Sequence, residues 1–305
     1  MPSSSTLHVA ITGASGLLGT ALTRSLTAAG HRVTPVSRTP GRPESIHWDP
    51  VRGTIDRAAL EGLDAVVHLA GETVGRRWTA ERKRRIRESR VAGTRLLAEA
   101  LAGLARPPRV LVSASGVGAY GDRGDEILTE ASGTADAPPD FFVTLAREWE
   151  GATEPARAAG VRVVVPRMGV VLTPAGGALQ RMLLPFRLGV GGPLGSGRQW
   201  LSWIAMDDAL GALHHALMSD RLSGPVNVTA PEPVRSREYA RTLGRVLGRP
   251  AVFPVPALAL RLLFGEMADV ALLSSQRALP ARLLETGYVF RYPGLEAALR
   301  HVLER

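Results

Sequence analysis

The 305-residue sequence predicts an α/β fold, a doubly wound parallel sheet with helices on both faces and a smaller C-terminal lobe. Three observations predict it. Short apolar, often β-branched runs alternate with amphipathic stretches of helix length, as βαβ units require. A glycine-rich turn joins the first such run to the first helix. At 45 % hydrophobic residues the chain can bury a large core, and it contains no cysteine, so disulfides, thiolate metal sites and a cysteine nucleophile are excluded.

The elements follow in order. Val9 to Ile11 reads as a buried strand, and Leu17, Leu18, Ala21, Leu22 and Leu26 mark the helix after it. Between them lies Gly13-Ala14-Ser15-Gly16-Leu17-Leu18-Gly19. Gly13 permits the tight turn, Gly16 lets a pyrophosphate approach the backbone, and Gly19 lets the helix pack close to the strand, its first amides facing the anion. The helix ends at Gly30-His31, and Arg32 to Val36 forms the second strand. Ser37 and Arg38 follow, where NAD-binding folds place an acidic residue on the ribose 2′-hydroxyl. An arginine there, with Arg42 near it, suits a 2′-phosphate and favours NADP(H); the alternative is an ordinary turn with an exposed arginine.

Ser45 to Pro50 predicts a short third strand with Trp48 or Asp49 near an adenine. Asp64 to Gly71 is a strand running into a turn, and the Leu69-Ala70-Gly71 backbone should lie along the cofactor, since ligands bind beyond the carboxyl ends of such strands. His68, alternating with Val67 and Leu69, reads as a packed strand histidine. Thr79 to Leu104 is a helix stopped before Pro107-Pro108, and its arginine-rich start reads as a solvated face. Val110 to Gly121 is a strand spilling serines and Tyr120 into the crevice. Asp207-Asp208 reads as the N-cap of a returning helix and not as a metal site, so no metal is expected. Pro225 to Val228 is the last sheet strand, and Ser236 caps a helix ending at Gly248. The expected division is a dinucleotide-binding domain over residues 1–172, completed by 205–230, and a substrate-binding lobe from 173–204 and 231–305.

Lysine and arginine number 37 against 28 acidic residues. The arginines are dispersed and aromatics are only 5 % of the chain, which argues against nucleic acid and for an anionic small molecule. Met1 to His8 lacks a signal-peptide pattern, and Arg261 interrupts the longest apolar run, so a cytoplasmic protein without membrane partner is expected.

Together the glycine loop, Asp64 to Gly71, Ser89 to Thr94 and Ser113 to Gly121 resemble the extended short-chain dehydrogenase/reductase superfamily. Gly191 to Trp200, Trp203 to Asp208 and Leu279 to Tyr288 with Phe290 to Pro293 resemble its atypical epimerase-like branch, which carries a C-terminal domain of unknown function. The resemblance implies an NADP-binding Rossmann protein. Gly13, Ser15, Gly16, Leu17, Leu18 and Gly19 would then hold the phosphates, Ser37 and Arg38 the adenosine phosphate, and Leu69, Ala70 and Gly71 the cofactor's flank. Arg90 stands where ordinary members place an asparagine and would also reach it, and Val171 would close over the nicotinamide side. Relatives often dimerise through helices like Thr79 to Leu104 and Phe141 to Ala158, which makes a homodimer the expected assembly.

Ordinary members use a serine, a tyrosine and a lysine four residues after the tyrosine. The phenol exchanges a proton with the substrate oxygen, and the ammonium lowers the phenol's pKa. Ser115 fits the serine, but Phe142 and Ala146 stand at the tyrosine and lysine places. Two readings of Tyr120 stay open: a phenol supplied from another direction, with a guanidinium such as Arg90 in place of the ammonium, or a packing residue. Arg198 and Trp200, after a glycine-rich loop, are expected either to meet an anionic substrate or to fill an interlobe seam. Two functions follow, an NADP(H)-dependent epimerase or oxidoreductase of modified mechanism on a small carbonyl or nucleotide-sugar-like substrate, and a catalytically weak NADPH-binding sensor or scaffold.

Overall fold

A computed structural model describes residues 6–135 and 137–304. Its centre is a parallel sheet of β1 (His8–Thr12), β2 (Arg32–Ser37), β3 (Ile46–Asp49), β4 (Ala65–His68), β5 (Val110–Ser113), β6 (Arg162–Met168) and β7 (Gly224–Val228). The spatial order is β7-β6-β5-β4-β1-β2-β3, with Thr54–Ile55 added antiparallel to β3 and Ser115–Gly116 continuing beside β6. The order reverses between β1 and β4, which opens the crevice where a doubly wound sheet takes its ligand.

Side-chain alternation divides the core. Val9 and Ile11 face α1 (Leu17–Ala28) and α5 (Met206–Met218) through Leu22, Leu26 and Leu213. Ala10 faces the other way, toward Leu97 and Leu101 of α2 (Ala80–Ala102). Trp48 belongs to this second cluster, 3 % exposed, with its ring against Gly93. An indole so enclosed has no face left for a base, which leaves half-buried Asp49 of the two residues expected near an adenine.

The added lobe has its own core. Leu179, Leu183 and Phe186 of α4 (Gly177–Arg187), Tyr239 and Leu243 of α6 (Ser236–Leu247) and Leu299 of α8 (Leu295–Val302) enclose Trp203. α6 ends as expected at Gly248, which takes the left-handed conformation at φ +65°. Its N-cap is Arg235, not Ser236; the Ser236 hydroxyl instead accepts from the Leu194 amide. The tail does not stay within the lobe. Leu283, in the short helix Ala281–Glu285, joins the main sheet core, where Tyr288 and Phe290 pack against it.

Asp207-Asp208 is corrected as well. The N-cap of α5 is Ala205, and Asp208, fully buried in the first turn, accepts from the amides of Arg291 (2.8 Å) and Tyr292 (2.9 Å). A helix start favours a carboxylate, and here the carboxylate also fastens the tail.

Candidate functional site

The carboxyl end of β1 sets the geometry. Gly13 turns at φ +68°, where a Cβ would lie 2.8 Å from the Ala70 nitrogen, and a Cβ on Gly19 would run into the Gly13 carbonyl. Only glycine fits either place. α1 starts at Leu17 with Gly16 as an extended N-cap, without a side-chain cap or a first-turn acid, so its leading amides are left for an anion. The residues present therefore fit a dinucleotide pyrophosphate. Ser15, Gly16 and Leu17 are exposed and line a cleft of about 500 Å³ shared with Thr173 and Gly176.

Thr12 joins the two strands at the switch point. Its hydroxyl oxygen accepts from the amides of Leu69 (3.1 Å) and Ala70 (3.2 Å), and its proton goes to Nδ1 of His68 at 2.7 Å. That leaves His68 neutral with its proton on Nε2, which has no partner among the described residues. Burial, helped by the Arg90 charge, pushes the His68 pKa down to about 4. His68 is thus a packed strand histidine, as expected, and it orients the Thr12 hydroxyl that holds Leu69 and Ala70.

At the far end of β2, Ser37 accepts from the Thr39 amide at 3.1 Å. Arg38 and Arg42 are exposed, and neither stands in an ion pair among the described residues. On the opposite side the Arg90 guanidinium lies against Gly71, donates to the Glu72 carbonyl at 2.8 Å and stacks over Trp149 at 5.0 Å. Desolvation lowers its pKa to about 10, so it keeps its charge at neutral pH. Val171, half-buried, lies in the strand Val170–Leu172, and Gly176 just beyond it touches Leu17. The structure therefore brings Gly13 against Leu69 and Ala70, Gly71 against Arg90, and Gly176 against Leu17.

Ser115 sits opposite Arg167 in adjoining strands. Its hydroxyl donates to Glu150 at 2.7 Å, and Arg167 holds the same carboxylate with two bonds of 2.9 and 2.8 Å. The Arg167 and Glu150 side chains are 4 % and 17 % exposed. Burial opposes the Arg167 charge, but the Glu150 bonds outweigh it and raise the pKa. Sequence reasoning missed Glu150; its one signal is the spacing Phe142, Ala146, Glu150, which puts all three on one face of α3 (Phe141–Gly151). With its proton committed to Glu150, Ser115 offers lone pairs to a ligand and cannot donate to a carbonyl in this arrangement.

Phe142 lies edge-on to Trp78 at 4.9 Å and stacks with Phe141 at 6.2 Å, while Ala146 is 6 % exposed. Neither moves a proton. Tyr120 is fully buried, with its hydroxyl 2.9 Å from Asn227 Oδ1 and 3.1 Å from the Thr129 carbonyl. Burial raises its pKa against the pull of Arg167, whose guanidinium covers the ring at 4.8 Å. This placement favours the packing reading of Tyr120. Trp200 donates its indole N–H to Asp125 at 2.8 Å and carries Arg235 and Arg277 at 4.7 and 4.3 Å. Arg198 is exposed beside it, and its carbonyl accepts from Arg235.

Comparison with known proteins agrees with this geometry. Residues 9–228 match the NAD dependent epimerase/dehydratase family, and residues 255–302 match a domain of unknown function. An epimerase family protein of Mycobacterium bovis is 44 % identical over 301 residues, covering 97 % of this chain and 98 % of its own. The crystal structure of the human epimerase family protein SDR39U1 with NADPH is similar at a TM-score of 0.90 and 41 % identity, covering 98 % of this chain and all of that one. A nucleoside-diphosphate sugar epimerase from Corynebacterium glutamicum superposes at 0.79 with 39 % identity, although the match spans only 58 % of that longer chain. By its matched residues and its Rossmann architecture, the chain belongs to the NAD dependent epimerase/dehydratase family.

Proposed function

We propose that this protein binds NADP(H) and works as an oxidoreductase or epimerase-like enzyme on a small carbonyl or nucleotide-sugar-like substrate. One observation carries the reading: the cradle of Gly13 and Gly19, where a Cβ would run into backbone, with the guanidinium of Arg38, in no ion pair among the described residues, beyond β2. The human relative solved with NADPH supports the choice of coenzyme. The bound nicotinamide would supply hydride exchange. The chain's own residues divide the rest. The first amides of α1 hold the pyrophosphate, Arg38 takes the 2′-phosphate, and Leu69 to Gly71 form one wall. Ser115 accepts a hydrogen bond from a substrate hydroxyl. The Tyr120 phenol is committed to Asn227 and Thr129, so a proton leaving that oxygen passes through Ser115 to the Glu150 carboxylate it bonds.

The apolar side chains at Phe142 and Ala146 favour a second reading, an NADPH-binding sensor or scaffold with weak turnover. Nicotinamide fluorescence separates the two. NADPH titration should show saturable binding, and a panel of carbonyls and nucleotide sugars followed over hours should show oxidation. Binding without turnover selects the sensor, and no affinity for either coenzyme rejects both.

A further inference from the structure

Fourteen large hydrophobic residues are exposed among those described, and eight of them lie in the two segments 184–190 and 252–263. Leu184 and Leu188 project from α4 at 66 % and 68 % exposure, followed by Val190 at 56 %. Val252 and Phe253 are 68 % and 56 % exposed, and Leu258, Leu262 and Leu263 of α7 (Ala257–Phe264) are 65 % to 68 %. The two segments that carry them adjoin. Gly189 packs on Pro250, Gly192 lies against the Phe253 backbone, and Val255 bonds to the 193–195 loop in both directions at 2.9 Å. Monomers rarely leave so much contiguous apolar surface without a use for it.

The charge around these segments identifies what covers them. From Pro174 to Met206 and from Tyr239 to Gly265 the chain has seven arginines and no Asp or Glu, and of these Arg245 and Arg261 are paired with Glu296 and Asp269 from outside the segments. Arg181, Arg187 and Arg249 are exposed and stand in no ion pair among the described residues. A second copy is a poor occupant, because a two-fold contact sets each patch against itself and would oppose arginine to arginine with no carboxylate in either segment. We infer that the two segments dock on an anionic lipid surface, their leucines entering the boundary between headgroups and acyl chains while the arginines meet the phosphates.

The position suits this. Arg181 donates to the Gly75 carbonyl and Arg77 to the Leu262 carbonyl, so both helices grip the segment leaving β4 at the crevice. Docking by these segments turns that mouth toward the headgroups. No helix among the described residues is long and apolar enough to cross a membrane, so attachment is to the surface alone.

Vesicle flotation tests the inference with the full chain. The wild type should float with vesicles of phosphatidylglycerol and phosphatidylcholine, remain behind with phosphatidylcholine alone, and be released by high salt. The pair Leu258→Asp and Leu262→Asp should lower the bound fraction at least ~10-fold, since two exposed leucines lose their burial, while NADPH binding and the melting temperature stay unchanged. Arg187→Glu with Arg249→Glu should weaken binding to anionic vesicles as well. Three results overturn it: no flotation with anionic vesicles, flotation indifferent to the leucine changes, or light scattering that shows a dimer abolished by those changes, which would assign the two segments to a second copy.

Discussion

Thr12 shows how much one side chain settles at this site. Its oxygen receives two amides from the end of β4 and its proton fixes the tautomer of His68, so the cofactor wall and a buried imidazole depend on the same hydroxyl. The pH consequence follows by linkage. The unfolded imidazole takes a proton near 6.5, whereas the folded one refuses it until about 4, so between these values the unfolded state binds more protons. His68 therefore costs nothing above the unfolded pKa, and stability falls as the pH drops through this window, by about 2 kcal/mol from pH 7 to 5 and about 3 kcal/mol in all. Urea titrations at both pH values should show His68→Leu losing less between them than the wild type. At Arg38, removing one charge-assisted contact to an exposed phosphate should cost roughly 1–2 kcal/mol. Arg38→Ala is expected to weaken NADPH binding about 5- to 30-fold and leave NADH unchanged; equal loss for both coenzymes would remove the selector role.

Single contacts also decide how elements are held. α3 is fastened to the sheet by a buried carboxylate shared between Ser115 and Arg167. Cutting one partner strands the other charge, so Arg167→Ala should cost about 3–5 kcal/mol, and the added change Glu150→Ala should cost much less than the sum of the two. Chemical denaturation of the three variants measures the coupling. At the start of α5, Asp208 satisfies two amides of the tail. Asp208→Ala leaves both buried and unpaired, for about 2–4 kcal/mol. Asp208→Asn keeps an acceptor and should recover part of the loss in the same measurement. These two anchors were invisible in the sequence, because a Glu on a helix and an Asp pair at a helix start carry local signals only, and their partners lie far along the chain.

Across the whole molecule, the lobe and the sheet are interleaved. Leu283 sits in the sheet core, and Asn227 of β7 accepts from Tyr120, receives support from Glu130 at its amide and donates to the Leu279 carbonyl. We therefore expect calorimetry to show one cooperative transition, and a chain ending before residue 255 to lose the native near-ultraviolet signal; two resolved transitions would make the lobe an independent unit. The alternation of strands and helices and the glycine turn after β1 were legible beforehand, since hydrophobic period and glycine placement are local properties that the backbone obeys directly. Arg38 and Ser115 were singled out for the same reason, each standing at a strand end.

The sequence by itself determined the Rossmann scaffold and the glycine cradle, because residue type at a fixed spacing is enough for these. Only the tertiary structure decided that Trp48 and Tyr120 are buried, that Glu150 takes the Ser115 proton, and that Leu184, Leu188, Leu258, Leu262 and Leu263 are exposed. Burial and partnership depend on which distant segments meet, and one-dimensional spacing does not contain that.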